Sequence, residues 1–272
     1  MRDPASSPTA RGSLALPPAA AVPAPAVHIE PPRPTARTRA RFAWNAVGAL
    51  VVSLITAPLL VLHSAVQPTA ATFVRWMRPW ARALLRLWGV RQTVERRAPE
   101  PDGPVIYAVN HQNLVDIVAL SAGLGRPFLY VARHELREWF LVGWVLEKTA
   151  CLFLDRSHPR RALVSLKAAA ERVRAGESLV LFPEGGRSYR HGTDEFARGA
   201  FLLAVEAGVP VVPVALVGHI GVLDERTRTA RPGAIHLIVG QAIETAGMRR
   251  EDTGALAARV RDAVDAELAR FG

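Results

Sequence analysis

The sequence predicts an α/β fold in which a mixed, largely parallel sheet is covered by helices and preceded by N-terminal membrane-associated helices. Three observations carry this reading. A long uncharged apolar run precedes residue 75, short apolar runs alternate with helical stretches after Gly89, and two polar clusters each follow directly on an apolar run.

The chain of 272 residues is 50% apolar, enough to bury the core of one α/β domain with segments to spare. Its net charge of +10 leaves three acidic partners open: nucleic acid, an anionic membrane surface or a phosphorylated substrate. Cys151 is the single cysteine, which excludes an intramolecular disulfide framework and any multi-cysteine zinc site. Such a chain can work in a reducing cytoplasm.

Residues 1–41 are rich in Pro and Ala, end in Arg33, Arg37, Arg39 and Arg41, and hold almost no large apolar side chain. A segment like this cannot bury enough surface to offset its ordering entropy, so it reads as a disordered arm. Residues 42–74 contain no Asp, Glu, Lys or Arg, and 46–66 are dominated by Val, Leu, Ile and Ala. That run exceeds the ~20 apolar residues that cross a bilayer. Arginines flank both ends, so the positive-inside rule sets no orientation, and Pro58 would kink a helix near its middle. One spanning helix and a bent, half-inserted hairpin both remain open.

In residues 73–90, Arg75, Arg78, Arg82 and Arg86 recur at spacings of three and four, which lines them along one helical face. Trp76, Trp80 and Trp88 share the rest with aliphatic residues. The pattern suits an interfacial helix, with Trp at headgroup depth and Arg on lipid phosphates. Residues 42–90 are therefore assigned to membrane-inserted and interfacial helices, and 91–272 to a catalytic domain expected on the cytoplasmic face.

Past Gly89, strands are expected at 105–109, 128–132, 151–154, 178–182, 211–216 and 235–239. Helices are expected at 114–122, 159–175, 198–207 and 253–270, with Gly123, Gly176 and Gly208 placed as C-terminal caps.

The first polar cluster, NHQNLVD at 110–116, follows the strand VIYAV. In one straight helix, positions 111 and 116 would lie about 140° apart and could not meet. The helix must start after the histidine, with Asn113 as N-cap, Asp116 in the first turn and His111 folding back from the loop. A carboxylate there can hold one imidazole nitrogen while the other takes a proton from a hydroxyl. The second cluster, FPEGGRS at 182–188, follows SLVLF. Gly185 and Gly186 allow tight backbone geometry, Arg187 offers a planar fork for phosphate, and Glu184 can orient neighbouring groups.

Together NHQNLVD and FPEGGRS resemble the glycerolipid acyltransferase family typified by 1-acyl-sn-glycerol-3-phosphate acyltransferase. Two further blocks agree: residues 131–156, which end in an apolar strand and Asp-Arg, and VPVVPVAL at 209–216. The resemblance implies that His111 is the general base and Asp116 its orienting partner. It also implies that Arg133, Arg156, Glu184, Gly185 and Arg187 bind the acceptor, with Arg156 on its phosphate. Arg133 stands where the family usually has Lys, Gly186 where it has Thr, Phe140 where Pro is common and Ala150 where Gly is common.

The implied activity moves a fatty acyl group from acyl-CoA or acyl carrier protein to the sn-2 hydroxyl of 1-acyl-sn-glycerol-3-phosphate, forming phosphatidic acid. Another lysolipid or glycerol-3-phosphate is the alternative acceptor, and an inactive membrane scaffold the alternative of a different class. Because a thioester is already activated, no cofactor, metal or covalent intermediate is needed. The expected partners are a lysophospholipid, the acyl thioester and membrane lipids. Nucleic acid is not among them, since the basic stripe alternates with Trp and Leu beside a membrane-length run. Cys151, inside TACLFL, reads as a buried structural thiol.

Overall fold

The computed structural model describes residues 31–138, 142–149, 151–154, 159–187 and 193–271. It opens with α1 (Ala36–Val66), started by Thr35, whose hydroxyl accepts from the Thr38 N–H while the Thr38 hydroxyl accepts from the Thr35 N–H. The helix takes in Arg37, Arg39 and Arg41, so the boundary expected at residue 41 moves back to Thr35. Residues 1–30 of the expected arm lie outside the described residues.

α1 passes through Pro58 as one helix of 31 residues. At that length it reaches roughly 46 Å, more than the ~30 Å of a bilayer's hydrocarbon. The chain does not turn back at Pro58. The chain turns at 67–69 and returns antiparallel along α1 as α2 (Ala70–Trp88). The tryptophans are spent on that packing: Trp76 Nε1 donates to His63 Nδ1 at 3.1 Å, Trp80 Nε1 to Ser53 Oγ at 2.9 Å and Trp88 Nε1 to the Asn45 carbonyl at 3.1 Å.

The basic stripe does turn outward, with Arg75, Arg82 and Arg86 exposed. Arg78 instead donates to the Leu124 carbonyl at 2.7 Å and the Gly125 carbonyl at 3.0 Å, fastening α2 to the domain. The bare apolar surface belongs to α1, where Leu54 and Ile55 are each 63% exposed and Leu62 is 70% exposed. Among the described residues it is the one helix long and apolar enough to cross a membrane.

The domain continues with β1 (Val90–Arg96), β2 (Ile106–Val109), α3 (Val115–Gly123), β3 (Phe128–Arg133), α4 (Val142–Lys148), β4 (Leu152–Leu154), α5 (Pro159–Arg174) and β5 (Ser178–Leu181). It is completed by α6 (Arg198–Ala207), β6 (Val211–Val217), α7 (His219–Val222), β7 (Leu223–Asp224), β8 (Thr229–Ala230), β9 (Gly233–Val239) and α8 (Thr253–Phe271). The seven-stranded sheet has the order β1-β9-β6-β2-β5-β3-β4. β6, β2, β5, β3 and β4 run parallel, and β9 pairs antiparallel to β6 with β1 parallel to β9. The sheet is thus mixed and largely parallel, as expected.

Every residue of β2, β5 and β6 is buried, so each reads as a short apolar run rather than an alternation. β1 was not expected as a strand: VRQTVER alternates weakly, and it is held by pairing with β9 from Val90↔Gly233 to Arg96↔Val239. Gly176 and Gly208 end their helices with φ of 101° and 70°, as caps do. Gly123 does not. It is the last residue of α3, and a Cβ there would meet Leu237 Cδ2 at 2.5 Å and Gln92 Nε2 at 2.8 Å, so it serves close packing instead.

The consequence for chemistry is topological. β6, β2 and β5 are neighbours pointing the same way, so the loops at 110–114, 182–187 and 218–219 leave the sheet side by side at its carboxyl edge.

Candidate active site

The loop after β2 holds the two residues expected to work together. His111 Nδ1 lies 2.8 Å from Asp116 Oδ2. The carboxylate can only accept, so Nδ1 carries the proton and Nε2 is left as the basic nitrogen. The same Oδ2 also accepts from the Gln112 N–H at 2.7 Å and the Asn113 N–H at 3.0 Å, which wraps the loop around the carboxylate. α3 begins after the histidine, as the spacing demands, but Leu114 rather than Asn113 takes the N-cap position. Asn113 Oδ1 accepts from the Val115 N–H at 2.8 Å, and its amide donates to the carbonyls of His219 and Leu223.

Asp116 is fully buried, whereas 17% of the His111 side chain is exposed, so the base can be reached and its partner cannot. Burial works against the Asp116 charge, but the His219 imidazole, the hydrogen bond and charge of His111 and the Gln112 N–H outweigh it. Together they hold the carboxyl below its ordinary range. Phe182 stacks on the His111 ring with centroids 4.0 Å apart and planes at 22°, fixing the imidazole from its face.

The second cluster closes on the first. Glu184 Oε1 accepts from the His111 N–H at 2.7 Å and Oε2 from the Asp194 N–H at 3.0 Å, so this carboxylate orients the loop after β2. Gly185 has φ of 73° and donates its N–H to the Phe182 carbonyl at 3.1 Å, a turn that a side chain would strain. Arg187 pairs with Glu225, whose other oxygen accepts from the Leu114 N–H at 2.6 Å. A guanidinium and the start of α3 are thereby linked through one carboxylate.

Comparison with known proteins now decides the family. Residues 70–217, more than half of the chain, match the Acyltransferase family. The chain belongs to that family. It is 30% identical over 212 residues to 1-acyl-sn-glycerol-3-phosphate acyltransferase of Pseudomonas aeruginosa, covering 76% of this chain and 77% of that one. It is 29% identical over 212 residues to a protein of the same name from Chlamydomonas reinhardtii, covering 74% and 61% respectively. The chain spans between half and about three-fifths of the length of its plant and algal relatives. In fold it is similar to the 1-acyl-sn-glycerophosphate acyltransferase PlsC of Thermotoga maritima, with a TM-score of 0.72, 22% identity and coverage of 86% and 96%.

Of the acyltransferase residues carried over by resemblance, the structure brings His111, Asp116, Glu184, Gly185 and Arg187 together. Arg133 ends β3, paired through its backbone with Leu154, one strand removed from β5. Arg156, Phe140 and Ala150 lie outside the described residues. Sequence reasoning missed Phe182, His219 and Glu225, although Phe182 stands inside the quoted motif beside the turn.

Cys151 is poorly placed to act as a nucleophile. Its Sγ–H donates to the Tyr130 carbonyl at 3.2 Å, and burial pushes the thiol up to about 12. Cys151→Ser is expected to keep at least half of wild-type turnover, and the wild-type thiol should resist alkylation at neutral pH until the chain is denatured. Loss of turnover on alkylation of the folded chain is the contrary result.

Proposed function

We propose that this acyltransferase moves a fatty acyl group from a thioester to the sn-2 hydroxyl of 1-acyl-sn-glycerol-3-phosphate at a membrane surface, yielding phosphatidic acid. The observation that carries the reading is the 2.8 Å contact of His111 Nδ1 with a buried Asp116, which leaves Nε2 open beside the Arg187 turn. In the proposed reaction His111 Nε2 takes the acceptor's hydroxyl proton as the oxygen attacks the thioester carbonyl. The tetrahedral intermediate expels the thiolate, and the proton passes from His111 to sulfur. The thioester supplies the leaving group, so acyl transfer balances without a cofactor.

Release of free thiol from acyl-CoA or acyl-carrier protein tests this, with lysophosphatidic acid, glycerol-3-phosphate and a lysolipid without a phosphomonoester as acceptors. Lysophosphatidic acid should be preferred. Release with the last acceptor alone would move the chain to another lysolipid, a reading favoured by Gly186 standing where a hydroxyl is usual. No release with any pair would leave a membrane scaffold.

The exposed face of α1 and the outward arginines of α2 support membrane residence. High salt should leave the protein in the membrane fraction, because apolar insertion is not screened. Detergent should release it. Recovery in the soluble fraction after salt alone would contradict insertion of α1.

A further inference from the structure

We propose that His219 is a positioning residue that acts through Asp116, its imidazole held by Gln112 with Nε2 3.9 Å from the carboxylate oxygen that His111 does not use. The inference deepens the acyl-transfer reading and rests on it only where turnover is measured. His219 lies two residues beyond the segment matched by the family, at the start of α7, and is 1% exposed. Gly218, with φ of 90° and no room for a Cβ against the Ala234 carbonyl, turns the chain so that residue 219 points inward. The His219 carbonyl accepts from Asn113 Nδ2 at 3.1 Å, which pins this backbone to the catalytic loop.

The two oxygens of Asp116 are served unequally. Oδ2 takes three N–H groups, while Oδ1 is buried with no hydrogen-bond partner among the described residues. Leaving a buried carboxylate oxygen bare is costly, and the ring nitrogen facing it is His219 Nε2, 3.9 Å away. Nε2 also contacts Gln112 Oε1, an acceptor, so the proton sits on Nε2 and is donated to that amide, with the carboxylate oxygen 3.9 Å from the same nitrogen. His219 Nδ1 has no partner among the described residues, unlike a histidine held in a core for structure alone.

Asp116 and His111 are the titratable groups acting on His219, and burial keeps its imidazole neutral against the pull of Asp116. On the strands packed against α7, Asp224 is turned to Arg226 and His236 to Thr93. The neutral N–H dipole, its nitrogen 3.9 Å from Oδ1, partly offsets the carboxylate charge. Without it the charge concentrates on Oδ2, the His111 imidazolium is held more tightly, and the base stays protonated to higher pH.

The test uses the full chain in detergent. Diethyl pyrocarbonate attacks a neutral imidazole, so the peptide-resolved modification of His111 against pH reports its protonation without any substrate. In His219→Leu, which keeps the volume but has no N–H, the midpoint of that curve should rise by about half a pH unit or more. Over the same range kcat/KM for thiol release should fall by the matching factor, about threefold for a half-unit rise, on the acid side of the midpoint and recover on its alkaline side. In His219→Gln, whose amide can restore an N–H, both should return to wild type.

An unchanged midpoint in His219→Leu overturns the proposal. So does a pH-independent loss of kcat/KM, the mark of a purely structural residue. If the Leu variant does not fold, the Gln variant decides: a wild-type midpoint supports the proposal and a raised one overturns it. A wild-type chain that releases no thiol defeats the acyl-transfer reading, and the modification curves then judge His219 alone.

Discussion

His111→Ala is expected to cut thiol release by about 10²- to 10⁴-fold, the range over which a positioned general base contributes. The chain should still fold, because the His111 ring is partly exposed and its loop is held by Asp116 through the Gln112 and Asn113 N–H groups. Asp116→Asn is expected to lose a comparable factor for a different reason. An amide oxygen can keep the backbone contacts, but without a charge it no longer stabilises the imidazolium that forms when the hydroxyl proton arrives. Single-turnover thiol release on protein with wild-type circular dichroism checks both. Turnover within tenfold of wild type in His111→Ala would remove the histidine from the chemistry.

Arg187→Ala is expected to raise the KM for lysophosphatidic acid about 10- to 100-fold while leaving that for the thioester within about twofold. A charge-assisted hydrogen bond lost in a partly enclosed site costs roughly 1.5–3 kcal/mol, which converts to this range. Lys should recover only part, since a point charge cannot reproduce the bidentate fork. Glu225 sharpens the expectation, because its carboxylate pairs with the guanidinium that the phosphate needs. Glu225→Gln should therefore lower the acceptor KM or leave it unchanged. Kinetics with the two substrates varied separately decide: an unaltered acceptor KM in Arg187→Ala would make that arginine merely the ion-pair partner of Glu225.

The contact of His111 with Asp116 was legible because it is local. NHQNLVD places a histidine five residues before an aspartate after an apolar strand, and helical geometry alone requires the loop that the structure contains. FPEGGRS was legible for the same reason, as a polar turn breaking a buried run. His219 and Glu225 were not, because each is an isolated polar residue beyond the apolar block VPVVPVALV. Their value depends on β6 lying beside β2, a neighbour relation absent from any local pattern. The partners of the α2 tryptophans were hidden for a related reason. Amphipathic periodicity reports that a face is apolar and not what covers it, and here α1 does. β1 escaped notice because VRQTVER acquires its strand character from β9.

The attachment of the hairpin to the domain has a kinetic consequence. α2 is joined to α1 by its indoles and to the turn after α3 by Arg78, so with α1 inserted as proposed the sheet stays at the membrane surface. An acceptor already dissolved in that surface then meets the loops by lateral diffusion in two dimensions. Diluting lysophosphatidic acid with inert lipid at constant bulk concentration should slow the reaction in proportion to its mole fraction. Adding more vesicles of fixed composition should not.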